Sequence, residues 1–132
     1  MASPYASAAR MRYYNDTASA AIADEASPHR LISMLYDGVL ERLATARSAI
    51  ARHDVSTKLR SINGAMQIIE HLRVVLDHKA GGGLAERLDA LYEYMLRRMT
   101  QANAVNDVDA LAEVSGLVMT VESGWDQIGP AR

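Results

Sequence analysis

Hydrophobic residues recur at steps of three or four, or multiples of these, along four stretches of this 132-residue chain. Side chains at such steps lie on one face of an α-helix, whereas a half-buried strand would alternate every second residue. Four helices of about 20 residues joined by short loops pack antiparallel. The pattern therefore predicts an all-α fold, an antiparallel up-down four-helix bundle. The second, third and fourth series are Leu59, Ile62, Met66, Ile69 and Leu76; Leu84, Leu88, Leu91, Met95 and Met99; and Leu111, Val114, Val118, Val121 and Trp125.

Short polar and glycine-containing segments mark the helix ends. Ser27 can cap free amides and Pro28 suits the first helical position. Three consecutive glycines at 81–83 interrupt any regular element. The expected caps and stops are Asp54 or Ser56 before the second helix, Asn106 before the fourth and Gly129-Pro130 after it. The predicted segments are an arm over residues 1–26, a bundle over 27–128 with helices at about 28–53, 55–79, 84–103 and 107–128, and a tail over 129–132.

The first 26 residues differ in composition from the rest of the chain. They are rich in alanine and serine, and Ile22 is the only large aliphatic residue between Tyr14 and position 26. Such a segment has too little apolar area to order itself alone. Tyr5, Tyr13 and Tyr14 are amphipathic side chains that suit docking on a groove. We expect a flexible arm that docks conditionally on the bundle.

Composition excludes several classes of protein. The formal net charge is −2 with acids and bases interspersed, so the basic face typical of a nucleic-acid binder is missing. The chain has no cysteine, which removes disulfides and thiolate chemistry and fits a reducing compartment. Its N-terminus lacks the apolar region of a signal peptide, and no apolar run approaches the roughly 20 residues of a membrane span. We expect a cytoplasmic domain that neither binds nucleic acid nor inserts into a membrane.

The apolar arcs of the predicted helices are wide. Those of the first, second and fourth helices span roughly 200°, against the ~100° stripe that a surface helix needs. A central helix covered on several sides would explain one wide arc. Wide arcs on three of the four helices favour a binding site for a partner, because excess apolar surface marks an interface. The natural ligand of such grooves is an amphipathic helix.

Catalytic and metal-binding patterns are weak. The histidines are His29, His53, His71 and His78, and the pair His71 and His78 shares a helix face without a third ligand at a nearby helical step. Asp37 and Glu41 are spaced as an i,i+4 acidic pair, which is simplest as solvated charge beside Arg42. We predict no enzyme activity, no cofactor and no metal.

A histidine phosphotransfer domain is the alternative function on a four-helix scaffold. It requires an exposed histidine in mid-helix with a nearby lysine and a small residue. His71 lies in mid-helix, but Arg73 and Val74 follow it where a lysine-glycine pair is expected. The pattern therefore favours a binding protein over a phosphotransfer domain.

An ordered set of motifs, spread over residues 14–125, goes further than periodicity. It comprises Ala26-Ser27-Pro28, residues 31–38 (LISMLYDG), Ile68-Ile69-Glu70 with Leu72 and Leu76-Asp77, residues 91–99 (LYEYMLRRM), Gln101-Ala102-Asn103, Asn106-Asp107 and Trp125. In this order the motifs resemble the FliS family of flagellar secretion chaperones.

The resemblance implies a chaperone of flagellin in the cytoplasm. Such a protein covers the disordered C-terminal segment of flagellin, prevents premature polymerisation and assists delivery to the flagellar type III export gate. Flagellar regulatory proteins are further possible partners. In the family, a tyrosine thirteen residues before the helix-opening serine belongs to an arm that can occupy the groove, and that position is Tyr14 here. We expect the groove-occluding residues to be Tyr13, Tyr14 and Ile22, and the flagellin-binding residues to be Tyr14, Ile68, Leu72, Tyr94, Arg98 and Asn103.

Overall fold

A computed structural model describes residues 4–5, 27–79 and 82–128 of the chain. Within these ranges it contains four helices and no strand. They are α1 (Pro28–Ala51), α2 (Val55–Val74), α3 (Leu84–Val105) and α4 (Val108–Ile128). The predicted four-helix, all-α fold is confirmed.

The helices form a ring in which α1 packs on α2 and α4, and α3 packs on the same two neighbours. Polar contacts show that neighbours run antiparallel. Lys58 near the start of α2 bonds Asn103 near the end of α3, whereas Arg73 at the end of α2 pairs with Asp89 in the first turns of α3. At the other seam, the Trp125 indole near the end of α4 donates to the His29 carbonyl oxygen at the start of α1. The up-down arrangement follows from these pairs.

The helix starts confirm two of the predicted caps and correct a third. The Ser27 hydroxyl accepts from the Arg30 amide at 3.1 Å, and the Asp54 carboxylate accepts from the Thr57 amide at 3.1 Å. Asn106, predicted as the cap of α4, instead ends α3 in the left-handed conformation with φ 58°. Asp107 caps α4, since its carboxylate accepts from the Ala110 amide at 3.0 Å. Because Asn tolerates a positive φ, Asn106 can end α3 directly before Asp107, which caps α4.

The second helix is shorter than predicted. It ends at Val74 and not at Lys79. Leu72 and Leu76 are both buried, so the apolar step of four continues past the point where the backbone leaves the helix. The Asp77 amide donates to the Pro4 carbonyl oxygen at 2.8 Å, outside any helix. Periodicity cannot detect this end because the next apolar residue reaches the core from a turn. The ends of α1 and α3 differ from prediction by two residues, which is the ordinary uncertainty of a boundary.

The core is built without phenylalanine. Its largest fully buried side chains include Tyr36 from α1 and Tyr92 from α3, whose hydroxyls share a hydrogen bond at 2.8 Å across the bundle. Aliphatic and methionine side chains surround them. The next largest side chains with less than 2% exposure are Ile32, Leu43, Ile62, Ile69, Leu72, Met95, Met99, Leu111, Val39 and Val114.

Most of the wide apolar arcs are covered. In α1 the flanking Leu31, Leu35 and Leu40 are partly buried, since this helix packs on two neighbours, and Met34 is 37% exposed. Most of the other large exposed apolar residues of the described ranges lie near helix ends. They are Val55, Leu59, Val74, Val105, Val108, Met119 and Ile128. The apolar surface left for a partner is therefore smaller than the arcs alone suggest. Within the described ranges, no helix is long and apolar enough to cross a membrane.

Lys58 ties the start of α2 to the end of α3. Its side chain is 9% exposed, and its ammonium donates to the Asn103 carbonyl oxygen at 3.0 Å and to Asn106 Oδ1 at 2.7 Å. Free carbonyl groups at a helix C-terminus are stabilised by such a cation.

Lys58→Met should lower the free energy of unfolding by about 1–3 kcal/mol, because two acceptors are left without their donor while the apolar stem keeps its volume. Urea unfolding followed by circular dichroism measures the change. Lys79→Met is the matched control, because Lys79 is exposed, and it should change stability little. Equal stability of the two variants would show that the Lys58 hydrogen bonds contribute nothing net.

Candidate functional site

An apolar pocket of about 210 Å³ lies between α3 and α4, close to the end of α4. Leu84 and Leu88, one helical turn apart, form its α3 wall, and Val121, Gly124 and Ile128 form much of its α4 wall. Gly124 and Ile128 are exposed, so the pocket opens to the surface. A Cβ at Gly124 would meet no atom within 4 Å, so there is open space beside this position of the α4 wall.

Apolar residues at helical spacing continue both walls of the pocket along the seam. Leu91 extends the leucine row of α3 by one turn, and Leu117 extends the α4 row in the antiparallel direction. Both are partly buried and pack on the core. We define the α3–α4 groove by Leu84, Leu88, Leu91, Leu117, Val121, Gly124 and Ile128. Two rows at helical spacing with an apolar floor are the usual seat of an amphipathic helix.

The N-terminal residues Pro4 and Tyr5 lie at the pocket end of this groove. Pro4 lines the pocket, and Tyr5 is 2% exposed. The Tyr5 hydroxyl shares a short hydrogen bond with the Tyr92 hydroxyl, and its ring meets Trp125 edge-on at 5.6 Å between centroids. Trp125 in turn stacks on His29 at 4.7 Å. A side chain from before the bundle thus completes the core.

The three buried tyrosine hydroxyls remain neutral. Burial, above all, raises the pKa of Tyr5, Tyr36 and Tyr92. Each hydroxyl can donate one hydrogen bond and accept others, so the buried hydroxyls serve as partners for one another. Tyr5 therefore contributes both apolar area and a required hydrogen-bond partner.

A polar cluster closes the other end of the groove. The Tyr94 hydroxyl donates to Glu113 Oε2 at 2.7 Å, and Arg98 Nε donates to Glu113 Oε1 at 2.6 Å. The hydrogen bond from Tyr94 lowers the pKa of Glu113, and Arg98 adds to this effect. Arg97 lies over the Tyr94 ring, 5.7 Å from its centroid. These exposed groups could exchange partners with a bound polypeptide at little cost.

The sequence model of the family described as flagellar protein FliS matches residues 10–132. The chain belongs to the FliS family. Flagellar secretion chaperone FliSB of Pseudomonas aeruginosa is 48% identical over 118 residues, which cover 89% of this chain and 94% of the relative.

More distant members show the same relation. Flagellar secretion chaperone FliS of Salmonella typhimurium is 43% identical over 106 residues, covering 80% of this chain and 78% of the relative. That of Bacillus subtilis is 37% identical over 102 residues, covering 77% and 75%. The FliS family is one of chaperones and not of enzymes. Tyr5 precedes the matched residues, so its contact with the core is a feature of this chain outside the family match.

The predicted flagellin-binding residues lie on different parts of this FliS-family bundle. Tyr94 and Arg98 lie together between α3 and α4. Ile68 lies between α1 and α2, where its Cδ1 is 3.2 Å from the position that a Cβ would take at Gly38. The structure thus groups two of the predicted residues at the α3–α4 groove and places others elsewhere.

Leu72 and Asn103, two further predicted binding residues, contact other parts of the bundle. Leu72 is fully buried and belongs to the core. Asn103 is partly buried at the α2–α3 seam, where its carbonyl oxygen holds Lys58 and its side-chain oxygen has no hydrogen-bond partner among the described residues. Tyr13, Tyr14 and Ile22 lie outside the described residues. The binding roles of all these residues stay predictions.

Sequence reasoning did not single out the α3–α4 pocket. The signal was available in the rows Leu84-Leu88 and Val121-Gly124-Ile128, whose spacing predicts two apolar edges. The spacing alone does not show which apolar rows meet between two helices and which face the core. The sequence identifies Tyr5 as an amphipathic side chain, but only the fold shows that it contacts Tyr92 and Trp125.

The histidines do not form a site within the described part of the chain. His53, His71 and His78 are exposed. The His29 ring donates from Nε2 to the Trp125 carbonyl oxygen at 2.9 Å and stacks on the Trp125 ring. No group of three or more potential metal-ligating side chains occurs among the described residues.

The acidic pair expected from the sequence is arranged differently. Asp37 hydrogen-bonds Glu122 of α4, so it is more than a solvated partner of Glu41. Burial, followed by this hydrogen bond and the charges of Asp37 and Asp126, raises the pKa of Glu122 to about 7. Glu122 therefore keeps a proton in the folded state that the unfolded chain releases near its ordinary value of 4.5.

Glu122→Gln should make the protein more stable than wild type at about pH 8, by about 1 kcal/mol after solvent screening. The native state binds more protons than the unfolded state between the two pKa values, so the stability contributed by protonated Glu122 is lost as pH rises through about 7. Urea unfolding of both proteins at about pH 5 and about pH 8 measures this, and the difference should shrink at the lower pH.

Glu70→Gln is the control, because Glu70 is exposed on α2. A Glu122→Gln advantage that is the same at both pH values would contradict the raised pKa of Glu122.

Proposed function

We propose that this FliS-family protein is a cytosolic export chaperone that binds the disordered C-terminal segment of flagellin. Bound flagellin cannot polymerise prematurely and is delivered to the flagellar type III export gate. Membership of a family whose relatives are named flagellar secretion chaperones carries the proposal. The open α3–α4 groove supports it, since it supplies a physical seat for a helix-forming segment.

The groove suits a segment that folds as it binds. Its leucine, valine and isoleucine side chains offer an apolar stripe, and a disordered flagellin segment gains helical structure by covering its own apolar stripe there. Ordering the segment consumes about 2–5 kcal/mol or more of the interaction energy. The complex therefore stays reversible, which handover to the export gate requires.

Polar residues beside the groove would fix the position of the segment. We propose that Tyr94 and Arg98 contact flagellin by exchanging part of their hydrogen bonding with Glu113. Ile68, Leu72 and Asn103 are proposed contacts of a segment that extends beyond the groove. Leu72 is buried in this conformation, so its contact would require movement of the covering residues.

The N-terminal arm would compete with flagellin. Pro4 lines the pocket end of the α3–α4 groove, and Tyr5 is buried beside Trp125 of the same pocket. We propose that Tyr13, Tyr14 and Ile22 cover the groove when flagellin is absent. The arm would then protect the apolar groove from unspecific association and leave when the flagellin segment arrives.

The interaction is stoichiometric binding without turnover, and it needs no cofactor. Flagellar regulatory proteins remain candidate additional partners. His71 is exposed, as a phosphorylated histidine must be. Exposure alone does not support a histidine phosphotransfer role, because the lysine and the small residue expected beside such a histidine are replaced by Arg73 and Val74.

Titration of the full chain with the C-terminal segment of flagellin in a calorimeter should show saturable binding near one to one. A negative heat-capacity change and a gain of helical circular dichroism should accompany it, because apolar area is buried as the segment folds. No binding of either the segment or intact monomeric flagellin would rule out the proposed function.

Ile128→Gln tests the groove in the same titration, with Met119→Gln as the matched control. Both residues are exposed apolar side chains of α4, at 41% and 59% exposure, but Ile128 lines the α3–α4 pocket and Met119 does not. Ile128→Gln should weaken binding roughly fivefold to tenfold, since about 1 kcal/mol of apolar burial is lost. Equal affinities of the two variants would move the flagellin site away from this groove.

Removal of residues 1–23 should raise the association rate for the flagellin segment, because the groove no longer has to be vacated. Stopped-flow fluorescence measures the rate. Tyr5→Ser and Tyr14→Ser, compared with each other, show which tyrosine holds the arm on the groove. An unchanged or slower rate after the truncation would contradict self-occlusion.

A further inference from the structure

A second groove runs along the opposite side of α4, between α4 and α1. The Ser33 hydroxyl donates to Asp126 Oδ1 at 3.3 Å, and Asp37 hydrogen-bonds Glu122 one turn further along. Together these pairs fix the antiparallel register of the seam. At the next turn, Leu40 of α1 faces Met119 of α4, and both line an open cavity of about 560 Å³.

The floor of this seam is low and partly apolar. Met119 is 59% exposed and Leu40 is partly buried. Continuing the register by one turn places Ala44 opposite Ser115, two small side chains that let another backbone approach closely. We define the α1–α4 groove by Asp37, Leu40, Ala44, Ser115, Met119 and Glu122.

Negative charge is concentrated at one end of the α1–α4 groove. The charged and titratable groups that face this end are Asp37 and Arg30 from α1 and Glu122 and Asp126 from α4, with the buried Tyr36 behind them. Arg30 offsets part of the charge of the three carboxylates. Burial, and after it the neighbouring carboxylates of Asp37 and Asp126, raise the pKa of Glu122.

The apolar strip and the carboxylates together define what fits the groove. A helix with small or apolar residues along one stripe can lie over Leu40, Ala44, Ser115 and Met119. Lysine or arginine side chains at one end of that helix would then reach the carboxylates, and the positive end of its dipole is favoured at the same place. An acidic helix would be repelled there.

We propose that the α1–α4 groove is a second docking surface, which binds a basic amphipathic helix of a partner protein. The surface lies on the other side of α4 from the α3–α4 groove. It therefore allows the chaperone to hold a second protein while its proposed client is bound, and it goes beyond the proposed function. Binding depends on charge at one end of the groove and on apolar contact in the middle.

The test uses the full chain and synthetic peptides. One probe is a labelled helical peptide of about 18 residues with an alanine-leucine stripe and lysines in its first two turns, and its counterpart carries glutamates in their place. Fluorescence anisotropy should show binding of the lysine peptide and at least tenfold weaker binding of the glutamate peptide. The combined variant Asp37→Asn and Glu122→Gln should weaken binding of the lysine peptide about tenfold.

The matched control is Glu70→Gln with Glu86→Gln, which removes the same charge from exposed positions on α2 and α3. It should leave the affinity within about twofold. Equal weakening by both double variants would overturn the proposal, because the peptide would then respond only to net charge. Binding of both peptides with the same affinity would also overturn it.

Two further measurements locate the peptide. The methyl resonance of Met119 should shift on binding more than that of Met34, which is exposed elsewhere on α1. Affinity should rise from about pH 6 to about pH 8, since a cation favours the deprotonated form of Glu122. Shifts confined to other methionines, or displacement of the peptide by the flagellin segment, would contradict a separate partner surface.

Discussion

The hydrogen bond between Tyr36 and Tyr92 joins α1 to α3 through the centre of the bundle. Buried hydroxyls must find partners, so this pair fixes how α1 and α3 face each other. The core extends to Tyr5, because the Tyr5 hydroxyl also hydrogen-bonds the Tyr92 hydroxyl. The α3–α4 groove depends on this constraint, because Tyr92 of α3 and Trp125 near the end of α4 both contact Tyr5.

The remaining polar contacts fix the seams between neighbouring helices. Lys58 and Arg73 hold the two ends of the α2–α3 seam, whereas Glu113 joins α3 to α4. These bonds are mostly at the surface and contribute modestly to stability. Their main effect is on register, since they select which apolar rows lie opposite each other. A chaperone surface made of helix seams depends on that register more than on the stability of any single pair.

Much of the fold could be predicted from spacing, and less of the site. Four apolar series gave four helices, and the distinction between Tyr92 in the core and Tyr94 near the surface follows from their positions on α3. The predicted end of α2 was wrong, because Leu76 lies four residues after Leu72 and is buried although it belongs to a turn. The prediction that Asn106 caps α4 was wrong, because its left-handed backbone ends α3. The groove required knowledge of which faces meet, and spacing along one helix does not contain that information.

Trp125, the single tryptophan of the chain, gives the junction of these elements an optical property. Its indole touches the Tyr5 ring, stacks on His29 and lines the α3–α4 pocket. Departure of the N-terminal residues, as proposed, would change the polarity and the quenching groups around this fluorophore. The emission spectrum of the unmodified protein would then report on the proposed exchange, and no dye is needed to follow it.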